Sequence, residues 1–324
     1  MKKIALMDKF GSFFTEGDNF KYYAVEFENC GCETFQLDPY SIDFEKGVGN
    51  VYKLNKSGRG SLISRNDSKL VKNLEEFDVI MDLSDIVDYN FAKNLSRVET
   101  LHVNDPLATY RSADKRTYLE KYTHFIPKTV VHSDINELER SLNEIFKGRM
   151  IVKDPFGSCG RGIEKIETTD ENYLDLLKGL TLNGTQSIVA QDFMHFAHEG
   201  SKRVAVIGDI AKRDSYRIIH FYGRKPSEGN WKDNLSQGGK VVEVDSLRED
   251  EKELCLEVAK NSGLYAVGLD IMDDLDYSGK RVSRLVETNA VLVFTGNGKF
   301  VDKMAEVPRF IVEDLLGKME KENN

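Results

Sequence analysis

The sequence predicts an α/β fold that opens with a parallel sheet carrying helices on its faces. Three observations predict it. The run Lys3-Ile4-Ala5-Leu6-Met7 is short and apolar and is closed by Asp8, as a buried strand would be. From Phe20 to Glu28, apolar and aromatic residues recur at helical spacing until Gly31, after which Glu33–Leu37 reads as a second strand. Asp78-Val79-Ile80-Met81-Asp82 is a third apolar run with acids at its end. Strand, helix and strand in alternation favour parallel pairing. Ligands of such sheets gather at the strands' carboxyl ends, here near residues 8–18 and 82–88.

The remaining elements follow in order. Residues 44–67 are rich in Gly, Ser, Asn and Lys and read as a hairpin plus loop. Val103-Asn104-Asp105-Pro106 is a turn that feeds a helix carrying Arg111, Lys115 and Arg116. From Asn136 to Phe146 the spacing of Leu138, Leu142, Ile145 and Phe146 predicts an amphipathic helix. Met150–Lys153 and Ile163–Glu167 are strands joined by Asp154-Pro155-Phe156-Gly157-Ser158-Cys159-Gly160-Arg161-Gly162. Further strands are expected at Ser187–Gln191, Arg203–Ile207, Arg217–Tyr222 and Leu285–Glu287, with helices at Asp250–Ser262 and Lys299–Lys318. No internal repeat or low-complexity tract interrupts the series, and the Lys- and Glu-rich end is expected to fray.

Composition narrows the function classes. The chain has 324 residues, 40% hydrophobic, with 54 acids against 45 bases and a net charge of −9. That balance argues against a nucleic-acid scaffold, which needs a basic face, yet permits a local basic pocket. No window approaches the roughly 18–20 apolar residues of a membrane span. The start meets Lys2 and Lys3 at once and has no small-residue cleavage site, so no signal peptide is expected. Cys30, Cys32, Cys159 and Cys255 make neither a metal-spaced set nor a disulfide framework. A cytoplasmic protein without membrane or nucleic-acid partners is expected.

Three constellations could carry chemistry. In the glycine loop, closely spaced glycines let backbone N–H groups approach phosphate oxygens. The loop lacks the Gly-Lys-Ser/Thr ending of a Walker motif and leads into a strand, so it also reads as a flexible hairpin tip. Lys153 lies just before it on an apolar strand, where a cation suits phosphate. The second set is Asp270 in Val267–Met272, with Glu287 and Asn289 two residues apart on one strand face. Two carboxylates and an amide oxygen suit a hard cation such as Mg²⁺, and equally a pair of sheet-rim acids. The third is the long polar run from Gly223 to Gly239, holding Arg224, Trp231, Lys232, Asn234 and Gly238-Gly239. Its length and cations place it on the acceptor side of a reaction, with Trp231 packing a substrate. No Ser–His or Cys–His pairing is needed, and His195, His198 and His220 lack ligand spacing.

Taken in order, the lysine strand, glycine hairpin, Ala190-Gln191-Asp192-Phe193, Lys202-Arg203-Val204, Arg224 to Gly239, Gly268-Leu269-Asp270 and Glu287-Thr288-Asn289 resemble the ATP-grasp superfamily. The resemblance is closest to bacterial glutathione synthetase and the ribosomal-protein-modifying glutamate ligases, and it covers nearly the whole chain. It implies an ATP-grasp fold: an N-terminal substrate-side α/β domain (1–106), a central lid subdomain (107–190) and a C-terminal subdomain with the metal site (191–324), the last two clasping the nucleotide. It implies an ATP-dependent carboxylate–amine ligase that forms an amide through an acyl phosphate. A phosphotransferase or a nucleotide-binding regulatory module without turnover are the alternatives.

The resemblance also distributes roles. Lys115 and Lys153 would hold the phosphates of ATP together with Gly157, Ser158, Gly160 and Gly162. Gln191, Asp192, Phe193 and Met194 would line the adenine. Asp270, Glu287 and Asn289 would hold two Mg²⁺ ions, or Mn²⁺ in their place. Arg203, Arg224 and Lys232 would steady the acyl phosphate. A small-molecule or peptide carboxylate and an amine are the expected substrates, and a homodimer or homotetramer the expected assembly. Three departures stand out. Ser201, assigned to the nucleotide, replaces an aspartate common in the family; Lys232 replaces an arginine; and Asp82–Asp88 lacks the arginine and prolines of glutathione synthetase. They set the chain apart from glutathione synthetase proper.

Overall fold

A computed structural model describes residues 1–8, 19–57, 62–84, 86–157, 160, 162–209, 215–292 and 307–314. The first unit holds β1 (Lys3–Met7), α1 (Asn19–Asn29), β2 (Glu33–Leu37), β3 (Val48–Ser57), β4 (Leu62–Asn73), β5 (Val79–Asp82), α2 (Tyr89–Leu95) and β6 (Leu101–Val103). Its six strands are ordered β4-β3-β2-β1-β5-β6. β1 pairs parallel with β2 and β5, and β5 with β6. The parallel core is thus the expected one. β3 and β4 extend it as an antiparallel hairpin, because a short connection cannot return a strand in parallel. That hairpin runs on to Asn73, beyond the expected end near residue 67. α2 and β6 are too short to give a periodic signal; α2 is started by Asp88, whose carboxylate accepts from the Phe91 amide at 2.6 Å.

Next come α3 (Pro106–Ala113), α4 (Tyr118–Lys121), β7 (Thr129–His132), α5 (Ile135–Glu144), β8 (Arg149–Lys153), β9 (Ile163–Glu167), α6 (Tyr173–Leu180) and β10 (Ile188–Asp192). Four antiparallel strands in the order β7-β10-β8-β9 carry α5 and α6 on one face. Leu138, Leu142 and Phe146 pack there against Met150, Val152 and Ile166, whereas Ile145, expected on the same face, is exposed because α5 ends at Glu144. Lys115 differs from the expectation of a continuous helix. Asp114 ends α3, accepts from the Arg116 amide at 3.1 Å and grips its guanidinium at 2.8 Å, leaving Lys115 in a 3-10 turn.

The last sheet holds β11 (Ser201–Gly208), β12 (Tyr216–Lys225), β13 (Lys240–Val242), β14 (Ala266–Leu275) and β15 (Arg281–Asn289), ordered β13-β12-β11-β14-β15, with α7 (Glu249–Ser262) packed on it. One apolar cluster joins this sheet to the first unit, uniting Phe20, Tyr23 and Phe27 of α1 with Ala205, Ile207, Tyr222 and Ala266. Buried Asn104 adds polar stitching, donating to the Ala266 and Ala290 carbonyls and accepting from the Ala266 amide. The loop at 11–18, Ser158 and Cys159 lie outside the described residues, as does the helix expected at Lys299–Lys318 apart from 307–314, which is helical. Among the described residues, no helix is long and apolar enough to cross a membrane.

Candidate active site

The site forms where the four-stranded and five-stranded sheets face each other. Strand alternation aims its side chains: Ser201 and Arg203 point to one face of β11, while Lys202 between them turns to the other and pairs with buried Glu251 of α7. On the next strands the register sets Asp270 directly opposite Glu287, and Gly268 opposite Asn289. The three oxygen-bearing residues expected to act together therefore share one face. A register shift just past Asp270 ends that run.

Asp270 is the electrostatic centre. Arg203 grips it with both arms, Nε to Oδ1 at 2.7 Å and Nη2 to Oδ2 at 2.8 Å, and Arg224 Nη2 lies 2.8 Å from Oδ2. Burial pushes its carboxyl up, but the two guanidinium groups hold it well below the usual carboxylate range. Arg224 also donates to the Ser201 hydroxyl through Nε at 3.2 Å and Nη2 at 3.0 Å. Glu287 has a different partner, Lys115 Nζ at 3.0 Å. Lys115 Nζ donates as well to the Gly157 carbonyl at 2.5 Å, and its amide to the Pro155 carbonyl at 3.0 Å. Two bonds therefore tie the start of the glycine loop to the turn that carries Lys115.

Lys153 is buried beside this cluster. Burial and then the like charge of Lys115 push its ammonium down to about 8, against the pull of Glu287 and Asp270. Past the glycine loop, the Asp154 amide donates to the Gly162 carbonyl at 2.9 Å and closes the hairpin. The hairpin tip meets the polar loop after β12: Gln237 Nε2 donates to the Gly160 carbonyl at 3.0 Å. Gly160 has a left-handed φ of 73°, and a Cβ there would lie 2.4 Å from Asn234 Oδ1, so only glycine fits this approach.

The segment at the end of β10 forms the other wall. Gln191 donates to Thr129 Oγ1 at 2.9 Å, which fixes its side chain on the neighbouring strand. Phe193 is covered by the Arg149 guanidinium, 4.8 Å from the ring centroid, and meets Trp231 edge-on at 5.7 Å. Met194 is buried, and Asp192 lines the same cleft. Trp231 lines the same cleft and its contact with Phe193 fastens the polar loop to that segment. Lys232 stands over the Trp231 ring at 5.4 Å and lines the cleft with it.

Apart from Ser158, the structure places the sequence-derived residues around this one region, although Asn289 uses its amide to donate to the Gly268 carbonyl at 3.3 Å. Three features escaped the sequence. Arg149 opens β8 and covers Phe193. Asp233, next to Lys232, is buried within 4.0 Å of Arg224. Behind the acids, Thr288 Oγ1 meets Ser112 Oγ at 2.7 Å and Tyr118 OH at 2.8 Å, locking β15 to the segments flanking Lys115. No local pattern announces such partners, which lie up to 176 residues away.

The donor set fits a magnesium ion in chemistry: hard carboxylate and amide oxygens on one sheet face, Asp270 on β14 beside Glu287 and Asn289 on β15. Each carboxylate is paired here with a cationic side chain, and among the described residues no group of three or more acids, histidines or cysteines is arranged so that it could hold a metal ion.

Known proteins match this arrangement. A family profile described as prokaryotic glutathione synthetase, ATP-grasp domain, matches residues 115–277. The glutathione synthetase of Agrobacterium fabrum is 24% identical over 288 residues, covering 85% of this chain and 86% of that one. D-alanyl-alanine synthetase A from Vibrio cholerae superposes with a TM-score of 0.64 at 14% identity, over 98% of each chain. The ATP-grasp ligase PsnB, complexed with a minimal precursor, gives 0.63 at 16% identity over 97% of this chain and 99% of that one. The three sheets and their order are thus the ATP-grasp fold that the motifs implied. Since the profile runs from the Lys115 turn to the loop after β14, taking in both walls of the cleft, the chain belongs to the prokaryotic glutathione synthetase ATP-grasp family and is an ATP-grasp ligase.

Proposed function

We propose that the protein joins a carboxylate to an amine as an amide, using ATP and releasing ADP and phosphate. The observation that carries this reading is the charge arrangement: Lys115 and Lys153 beside Glu287, and Arg203 and Arg224 on Asp270, at one end of a cleft lined by Gln191–Met194. A carboxylate is a poor electrophile. Transfer of the γ-phosphoryl group to it makes an acyl phosphate, which an amine attacks to expel phosphate. Such chemistry asks for charge neutralisation and positioning rather than a protein nucleophile.

In this reading Lys115 and Lys153 take the phosphates, and the glycine loop, tied to Lys115 through Gly157, closes over them and excludes water. Arg203 and Arg224 face the developing acyl phosphate, with Lys232 at the cleft's edge. Asp270, Glu287 and Asn289 would hold magnesium, which when bound neutralises phosphate charge. Gln191, Asp192, Phe193 and Met194 line the base. The three separate sheets support a three-part division, with the first boundary at 106/107, but β10 (Ile188–Asp192) runs through 190/191, so Gln191 and Asp192 stay with the lid sheet and the second boundary moves past Asp192. A substrate of peptide character is favoured by the fold neighbours, since PsnB is complexed with a precursor peptide and AMPPNP, and MdnC with its precursor peptide.

The test is ADP release with Mg²⁺-ATP across amino acids, dipeptides and polyamines, followed by mass spectrometry of the products. An amide with stoichiometric ADP is expected. A released phosphorylated acid would make the protein a phosphotransferase, and nucleotide binding without ADP release a regulatory module.

A further inference from the structure

The loop between β12 and β13 carries an acid that none of the roles above uses. Asp233 is only 7% exposed. It lines the cleft beside Phe193, Met194, Ser201 and Arg224. Part of its carboxylate is accounted for: Ser201 donates to it through both amide and hydroxyl, and Arg224 Nη2 stands 4.0 Å from Oδ1. The other oxygen, Oδ2, is shielded and has no hydrogen-bond partner. A buried carboxylate oxygen without a donor is costly, and such oxygens are retained where something else brings the donor. The surroundings hold Asp233 in place. Gly239 approaches the Asp233 carbonyl so closely that a Cβ would stand 2.0 Å from it, and Trp231 anchors the loop on Phe193.

Position along the cleft selects the donor. On one side lies the Phe193–Met194 segment. On the other lie Arg224 and Asp270, leading to Lys115, Glu287 and Lys153. A nucleotide with its base at the first and its phosphates at the second passes its sugar between them, beside Asp233. An ionised carboxylate only accepts, so it rejects phosphate and suits neutral hydroxyls. A ribose offers two. Ser201 fits the same picture: at the start of β11 it offers a short hydroxyl that donates to the carboxylate supplied by the loop and leaves room for a sugar beside it.

We propose that Asp233 accepts hydrogen bonds from the ribose hydroxyls of the bound nucleotide and thereby selects a ribonucleotide. This rests on the nucleotide reading above. Its test uses the full-length protein with Mg²⁺, titrated calorimetrically with AMPPNP and with its 2′-deoxy and 3′-deoxy counterparts. In the wild type the ribonucleotide binds about tenfold or more tightly than the weaker deoxy analogue, as one charge-assisted hydrogen bond would give. Asp233→Ala loses about tenfold for the ribonucleotide and little for that analogue, so the preference collapses to about twofold or less. Asp233→Asn, which keeps the shape and one acceptor, falls between and serves if the alanine variant does not fold.

Equal binding of ribo- and deoxynucleotide by the wild type overturns the proposal. So does an equal loss for all three ligands in Asp233→Ala, which makes Asp233 a structural acid. Unchanged nucleotide binding with a raised amine KM would give Asp233 to the amine substrate instead. A wild type that binds no adenine nucleotide would overturn the nucleotide reading itself, an outcome distinct from the loss of sugar preference.

Discussion

Asp270 lies between two guanidinium groups, whereas Glu287 leans on a single lysine and keeps 22% of its side chain exposed. The same substitution should therefore read differently at the two positions. Asp270→Asn leaves Arg203 and Arg224 facing each other without the charge that reconciles them, a loss on the order of 3–5 kcal/mol of folding stability. Glu287→Gln should cost about 1 kcal/mol or less of stability while still removing most ATP turnover. Urea denaturation run beside an ADP-release assay separates the two; comparable destabilisation would show that Glu287 is structural. Lys153 sets the pH response. Its ammonium has a folded pKa of about 8 against about 10.5 in the unfolded chain, so the unliganded protein carries a buried cation at a cost below pH 8. Between pH 8 and 10.5 the unfolded state binds more protons, and this residue's contribution to stability rises with pH. Nucleotide phosphates favour the charged form, so binding above pH 8 should take up a proton. Calorimetry in two buffers of different ionisation enthalpy at pH 8.5 measures that uptake, and Lys153→Met should abolish it.

At the scale of elements, two contacts decide whether the site is assembled. The first is the three-way bond of Thr288 with Ser112 and Tyr118, which sets β15 against the segments flanking Lys115. Thr288→Val keeps the volume but removes the hydroxyl. It should cost about 1–3 kcal/mol, because buried partners lose a bond, and it should weaken nucleotide binding as Lys115 loses its register with Glu287. Thermal melts and nucleotide titration check both effects. The second is the approach of the glycine hairpin to the polar loop. Gly160→Ala places a methyl group into Asn234 and Gln237 at a left-handed backbone position, where the hairpin tip is buried against the polar loop. Turnover should fall about tenfold or more through misplacement, well beyond what the roughly 1–2 kcal/mol of lost stability from alanine at a left-handed position would cause. A normal rate in this variant would remove the hairpin contact from the working state. These elements were unevenly legible. α5 and β8 carry their own period in sequence, whereas the 3-10 turn that presents Lys115 depends on Asp114 capping in two directions.

Across the whole molecule, the cleft is held by cores on both sides. α5 and α6 cover the lid sheet, and α1 shares a core with the five-stranded sheet, so the walls are separate packed bodies joined through loops. A ligand that bridges them should stabilise the fold by mass action. AMPPNP with Mg²⁺ at about a hundred times its dissociation constant should add about 2.7 kcal/mol, read as an upward shift in melting temperature. The shift should disappear in Lys153→Met. A melting temperature indifferent to nucleotide in the wild type would contradict the placement of ATP between the sheets.

The sequence by itself determined the class of this protein. Apolar periods mark β1, β2, β5 and α5 because burial has to repeat every two or 3.6 residues, and that repeat is local. The order of Lys153, the glycine loop, Gln191–Met194, Arg203, Arg224, Asp270 and Glu287 was enough to indicate ATP-grasp chemistry, since each stands out as a polar or charged residue on an apolar strand or in a loop whose type is readable in place. What only the tertiary structure decided is which charges meet. Nothing local pairs Lys115 with Glu287, seats Trp231 on Phe193, or turns Asp233 inward beside Ser201. Those contacts arise when the sheets are brought face to face, and burial of so many charges is tolerable only in the specific pairs that this packing creates.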